Sequence, residues 1–179
     1  MRMRMIRSLV VGTIAATAMI VLTASAAQAT GKENDPVDNC PAGDMSVLVT
    51  ELTHAQATSR LRSSGITWSS SGNCSDRNNS TCTSFEQVNL TTIQGAQTLK
   101  SASGCALNIT GGTETGHASG TYSHWNGYKL DFSKSTCLTN YIHNNFTSIG
   151  GGKWQSGAGN IYFDESNHWD VTFYNCGGC

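Results

Sequence analysis

The stretch Ile161-Tyr162-Phe163-Asp164-Glu165-Ser166-Asn167-His168-Trp169-Asp170-Val171-Thr172-Phe173 decides how the fold is read. Two runs of β-branched and aromatic residues, Ile161 to Phe163 and Trp169 to Phe173, flank a tight turn at Asp164 to Asn167, which predicts paired strands. Working back toward the N-terminus, Tyr128 to Phe132 is a further strand candidate. Cys105 to Thr110 alternates as a strand does, and Gly111-Gly112 ends it before a glycine-rich loop. Helical signals lie earlier. Thr53 can cap a helix running through Ala55, Ala57 and Leu61 to Gly65, with Arg60 and Arg62 near the C-terminal end, where the helix dipole favours them. Ile93, Ala96 and Leu99 keep helical spacing from about Thr91 to Ser103, and Gly104 stands where a C-cap glycine belongs. Leu138 to Phe146 reads as a short helix, Ile66 to Ser69 as a short β-prone run, and Ser70 to Thr83 as loop. Helices come early and strands gather late, so the expected class is α+β, with helices packed on one face of a mostly antiparallel sheet.

Composition bounds the function. Arg2, Arg4 and Arg7, the apolar run Leu9 to Ala24 and the small-x-small pattern Ala27-Gln28-Ala29 predict a signal peptide over residues 1–29. Residues 30–44 read as a flexible leader and 45–179 as one domain. A mature chain of ~150 residues is long enough for a real core. Only 13% of residues are charged and the net charge is -1, with no basic stripe for phosphates and no polybasic cluster for a lipid surface. Nucleic acid is therefore excluded as a partner, as is a membrane once the signal is cleaved. The expected localisation is extracellular, where most of Cys40, Cys74, Cys82, Cys105, Cys137, Cys176 and Cys179 should pair. Cys74 and Cys82 are the most local pair, and their spacing suits a loop staple. An odd count leaves one thiol over, with Cys176 and Cys179 competing for that role, and the remaining pairing stays open.

The chemistry concentrates in two segments. Ser123-His124-Trp125-Asn126-Gly127-Tyr128-Lys129-Leu130-Asp131 holds a His and an Asp seven apart, and Glu165-Ser166-Asn167-His168-Trp169-Asp170 follows. Two imidazoles and a carboxylate are a normal catalytic zinc set that keeps a fourth position for water. A Glu just ahead of the last ligand supplies the base that hydrolysis needs. A lone His in such a domain is more often a surface or hydrogen-bonded residue, and His54, His117 and His143 start from that reading.

The pattern His-x-x-Gly-x-x-x-Asp followed by Glu-x-x-His-Trp resembles the zinc D-Ala-D-Ala peptidases. These are relatives of the lysostaphin-type peptidases and of the hedgehog signalling domain. The likeness runs from about Thr110 to Phe173. It implies an α+β fold with a small central, mostly antiparallel sheet, zinc on His124, Asp131 and His168, and Glu165 as general base. The sequence also departs from that family. Tyr122 stands where the family usually has Ser, and the turn Gly111-Gly112-Thr113-Glu114 lacks the arginine that holds the substrate carbonyl and the developing oxyanion. His117 is the candidate to take over polarisation, and Arg60, Arg62 or Arg77 are candidates to reach in from elsewhere. Loss of one oxyanion donor costs on the order of 10²–10³ in rate. Residues 168 and 170 share a strand face, so Asp170 is either a ligand, with His168 catalytic, or a partner that orients an imidazole; the second reading gives Glu165 a role. Trp125, Trp154 and Trp169 are read as core more often than as a substrate rim. The function expected from the resemblance is a secreted, monomeric, disulfide-stabilised zinc peptidase acting on peptidoglycan stem peptides or crosslinks. The alternative is a catalytically inactive, zinc-containing cell-wall or protein-binding module on the same fold.

Overall fold

Local rules account for where the elements begin and end. The computed structural model describes residues 49–174; the signal and leader segments, Cys40, Cys176 and Cys179 lie outside them. After a short strand β1 (Glu51–Leu52), Thr53 opens helix α1 (His54–Ser63) with a capping box in which Thr53 and Gln56 satisfy each other's backbone N–H groups. The strands β2 (Thr67–Trp68) and β3 (Val88–Asn89) flank the loop stapled by the Cys74–Cys82 disulfide, as the spacing suggested. Helix α2 (Leu90–Ser103) stops at Gly104, which takes the left-handed conformation (φ +66°) that a side chain would disfavour. Then come β4 (Asn108–Gly111), β5 (Lys129–Ser133) and α3 (Thr136–Asn145), the last capped by Ser135. The described residues close with β6 (Thr147–Gly150), β7 (Lys153–Gln155), β8 (Ile161–Asp164) and β9 (His168–Thr172). A second disulfide, Cys105–Cys137, ties the approach to β4 to the start of α3 across 32 residues of sequence, a closure that contributes about 3–4 kcal/mol by restricting the unfolded chain.

The class is α+β: the described residues form three helices and a mixed, mostly antiparallel sheet of seven strands in the order β2-β4-β5-β9-β8-β7-β6, among which only β2–β4 is parallel. β1 and β3 form a separate two-stranded ladder. The sheet extends further than the sequence suggested, because β6 pairs with β7 around the Gly150-Gly151-Gly152 turn. All four residues of β6 are exposed, and a strand without a buried face leaves no alternating pattern to read.

Pairing of β5 with β9 positions the candidate site residues. Its register is Lys129↔Thr172, Leu130↔Val171, Asp131↔Asp170, Phe132↔Trp169 and Ser133↔His168. Side chains alternate across a pleated sheet. One face of this pair therefore carries Leu130, Phe132, Trp169 and Val171, all fully buried in a core shared with Leu61, Ile93, Leu99, Leu138 and Ile142 of the helices. Trp169 also donates its indole N–H to Thr139 Oγ1 of α3 at 3.2 Å, so of Trp125, Trp154 and Trp169 the last is core. The other face presents Lys129, Asp131, His168 and Asp170.

Candidate metal centre

The loop from Gly112 to Tyr128 lies over that polar face, and its local geometry explains the motif spacing. After His124, Gly127 N donates to His124 O at 2.8 Å and Tyr128 N donates to Ser123 O at 3.1 Å, closing a turn that feeds directly into β5. Gly127 sits at φ +79°, and a Cβ there would come within 2.6 Å of Gln87 O and 2.8 Å of Asn89 N; the motif glycine is a steric and conformational requirement. Four residues on, Asp131 points inward from β5. Gly111 passes directly across it, so close that a Cβ would collide with the Asp131 carboxylate. The register shift between Ile109 and Gly111 on β4 accompanies this close passage.

His124 and Asp131 are buried, at 3% and 5% exposure. Asp131 Oδ1 lies 3.3 Å from His124 Nε2 and 3.4 Å from His168 Nε2. Two donors each bonded to a tetrahedral zinc ion sit about 3.3–3.4 Å apart, given bond lengths of about 2.0–2.1 Å. Each imidazole is held by its other nitrogen. His124 Nδ1 donates to Gly112 O at 2.7 Å, and His168 Nδ1 donates to Asn167 Oδ1 at 2.8 Å. In the neutral rings both Nε2 atoms then carry lone pairs directed toward Asp131, the arrangement that outer partners impose on metal-binding histidines. His124 Nε2 and Asp131 Oδ1 are buried atoms with no hydrogen-bond partner. Leaving such groups unpaired costs about 1–3 kcal/mol each, so the residues present fit a cation. Without one, a proton takes its place: burial lowers the basicity of His124, but Asp131 and Asp170 outweigh it and hold its pKa up to about 9.

His117, His124 and Asp131 form a group whose ligand atoms all lie within 4.8 Å of one another and which could hold a metal ion. The His117 ring stacks on that of His124, with centres 3.8 Å apart and planes 18° from parallel, and its Nδ1 is 3.7 Å from Asp131 Oδ2. Glu165 stands beside His168, its Oε2 3.4 Å from His168 Nε2 and its side chain 40% exposed. The turn carrying it is fixed by Glu165 N donating to His168 O and Asn167 N donating to Glu165 O, with Ser166 at φ +68°. The five residues singled out from the sequence, His117, His124, Asp131, Glu165 and His168, thus gather in one place.

Asp170 accepts two hydrogen bonds from Lys129 Nζ, at 2.8 and 2.9 Å, and its Oδ2 is 3.7 Å from His124 Nε2. Burial raises its carboxyl pKa, but His124 and Lys129 more than offset that and hold it below the usual range. Of the candidate arginines, Arg62 lies over Trp68. Arg77 comes nearest the metal-site loops: it stacks on the Trp125 ring at 3.8 Å and donates to the carbonyls of Thr113 and Trp125. Its guanidinium therefore ties two loops together. Trp125 is 45% exposed beside His124, a rim position, whereas Trp154 is half-buried against Trp169. His54 accepts from Phe85 N and His143 stacks on Trp154, both as ordinary structural histidines.

Sequence reasoning missed Glu114, Asn167, Gly112 and Lys129 as contributors. The signal for Glu114 was present in the letters. Glu114-Thr115-Gly116-His117 repeats the Glu-x-x-His spacing of Glu165 to His168, and both pairs make a carboxylate–imidazole contact, at 3.2 and 3.4 Å. No protein-family model, curated protein or solved structure matches this chain.

Proposed function

We propose that this chain is a zinc-dependent peptidase of the extracellular space that hydrolyses peptide bonds in peptidoglycan stem peptides or crosslinks, in the manner of the D-Ala-D-Ala carboxypeptidases it resembles. The observation that carries the reading is Asp131 Oδ1, buried and unpaired, with the Nε2 atoms of His124 and His168 at 3.3 and 3.4 Å. His124, Asp131 and His168 are the ligands in this reading. A bound zinc ion would supply Lewis acidity, polarising a carbonyl and acidifying a water molecule.

The chain's own groups do the rest. Gly112 and Asn167 hold the two imidazoles so that their lone pairs converge. Glu165, the exposed carboxylate at the centre, takes a proton from the attacking water and passes it to the leaving amine. His124 and Asp131 are closed off from solvent, whereas His117, Glu165 and His168 retain 25%, 40% and 23% exposure, so a substrate approaches across these three. The two disulfides of the described residues accord with an oxidising compartment.

One observation favours a second reading, a zinc-bearing binding module without catalysis. The cations near the centre are engaged: Lys129 with Asp170, and Arg77 with the Thr113 and Trp125 carbonyls. An oxyanion donor in the style of the family arginine is therefore lacking among the described residues. Metal analysis of the purified protein, followed by D-alanine release from cell-wall peptides by wild type and Glu165→Ala, separates the readings. A peptidase carries one zinc per chain and loses about 10²–10⁴ in rate with Glu165 removed. Zinc without any release supports the binding module, and absence of zinc sinks both.

A further inference from the structure

Glu114 is a buried carboxylate, 3% exposed, that neither the ligand set nor the base requires. Oε2 accepts from Ser84 N at 2.7 Å and from Gly112 N at 3.1 Å; Oε1 accepts from Gly112 N at 3.1 Å and faces His117 Nε2 at 3.2 Å. Backbone N–H groups can only donate, and Glu114 as the carboxylate can only accept, so His117 Nε2 is the donor in their contact. In the neutral ring the single proton is then on Nε2, and Nδ1 directs a bare lone pair toward Asp131 Oδ2, 3.7 Å away. Two acceptors facing each other at that distance do not bond. Nδ1 is satisfied by a group with a hydrogen to donate, and His117 is open enough to solvent for water to reach it, leaving that water's second hydrogen for Glu165.

Two other roles are excluded, that of a ligand by the stacking on His124 and that of an oxyanion donor by the tautomer. Imidazole lone pairs lie in the ring plane, and rings stacked at 3.8 Å with planes 18° apart aim theirs along separate lines. An ion in the plane of His124 is thus poorly placed for His117. Nor can neutral His117 stabilise an oxyanion, because it has no N–H on that side.

We propose that Glu114 fixes His117 as a hydrogen-bond acceptor at the centre, with Nδ1 orienting the attacking water opposite Glu165. This rests on the metallopeptidase reading above, and it makes Glu114 a positioning residue. Glu114→Gln probes it directly. The amide oxygen must still serve Ser84 N and Gly112 N, so the amide NH₂ turns to His117 Nε2. His117 then has to accept there and carry its proton on Nδ1.

The test combines long-range proton–nitrogen correlation NMR on zinc-loaded, ¹⁵N-labelled protein, zinc affinity by chelator competition, and D-alanine release. Wild type is expected to show His117 protonated on Nε2, and Glu114→Gln to show it protonated on Nδ1. Glu114→Gln and His117→Ala should keep zinc affinity within about threefold while release falls on the order of 10–100-fold. An Nδ1-protonated His117 in wild type overturns the proposal, as does full release by Glu114→Gln. Zinc affinity lost more than tenfold in His117→Ala also overturns it, by making His117 a ligand. Each of these leaves zinc binding by wild type, and its loss in Asp131→Ala, intact. A wild type that binds no zinc removes the metallopeptidase reading itself and this proposal with it.

Discussion

Two Glu-x-x-His pairs flank the centre, identical in spacing and opposite in physical state. Glu165 sits on a hairpin turn, 40% exposed, with its Oε2 3.4 Å from His168 Nε2. Glu114 is 3% exposed, and its oxygens hold the N–H groups of Ser84 and Gly112 besides facing His117. A carboxylate committed to backbone donors on both oxygens orients its neighbours, while one left free in water's reach can exchange protons. The same two letters therefore give a backbone-bound carboxylate on one side and a solvent-reachable one on the other, and only the surrounding backbone decides which.

The comparison breaks most easily on stability. In zinc-free protein, Glu114→Ala should lower the unfolding free energy by roughly 2–6 kcal/mol, since two buried N–H groups lose their acceptor at about 1–3 kcal/mol each. Glu165→Ala should stay within about 0.5 kcal/mol of wild type, as exposed sites do. Urea denaturation followed by tryptophan fluorescence measures both, and equal effects would erase the distinction. Next in size is the linkage to metal. Zinc at 100 times its Kd should stabilise wild type by about 2.7 kcal/mol, seen as a rise in Tm that Asp131→Ala does not show.

Gly111→Ala sharpens the picture from the Glu114 side of the centre. Its new methyl meets the Asp131 carboxylate, so the expectation is a loss of about 1–3 kcal/mol from overpacking, together with weaker zinc binding in the same chelator titration. The smallest effect is expected on the Glu165 side. Asn167→Ala removes the acceptor of His168 Nδ1 and should weaken zinc binding on the order of 10-fold, the lower end for outer partners, with stability unchanged. If Asn167→Ala matched Asp131→Ala, the outer and inner layers of the centre would not be separable.

Much of this was legible in order of residues. Capping at Thr53 and Gly104 and the turn at Asp164 to Asn167 are local, and the helices and the β8–β9 hairpin formed where those signals put them. The loop staple Cys74–Cys82 was legible for the same reason, being close in sequence. Partnership across distance was not. Nothing near Cys105 indicates Cys137, and nothing near Ser84 indicates that its N–H needs Glu114, because both contacts depend on how loops close over a sheet.

The sequence by itself determined which groups could meet a cation: His124 and Asp131, joined by a turn that only glycine permits at Gly127, and a second imidazole at His168 next to a carboxylate at Glu165. Tertiary structure decided that they do meet, through the β5–β9 register that sets Asp131 opposite Asp170 and brings His168 to the same polar face. It also decided that Glu114 is buried on backbone donors while Glu165 stays exposed. Ionisable side chains take their roles from burial and from the donors around them, and those are properties of the folded surroundings rather than of residue order.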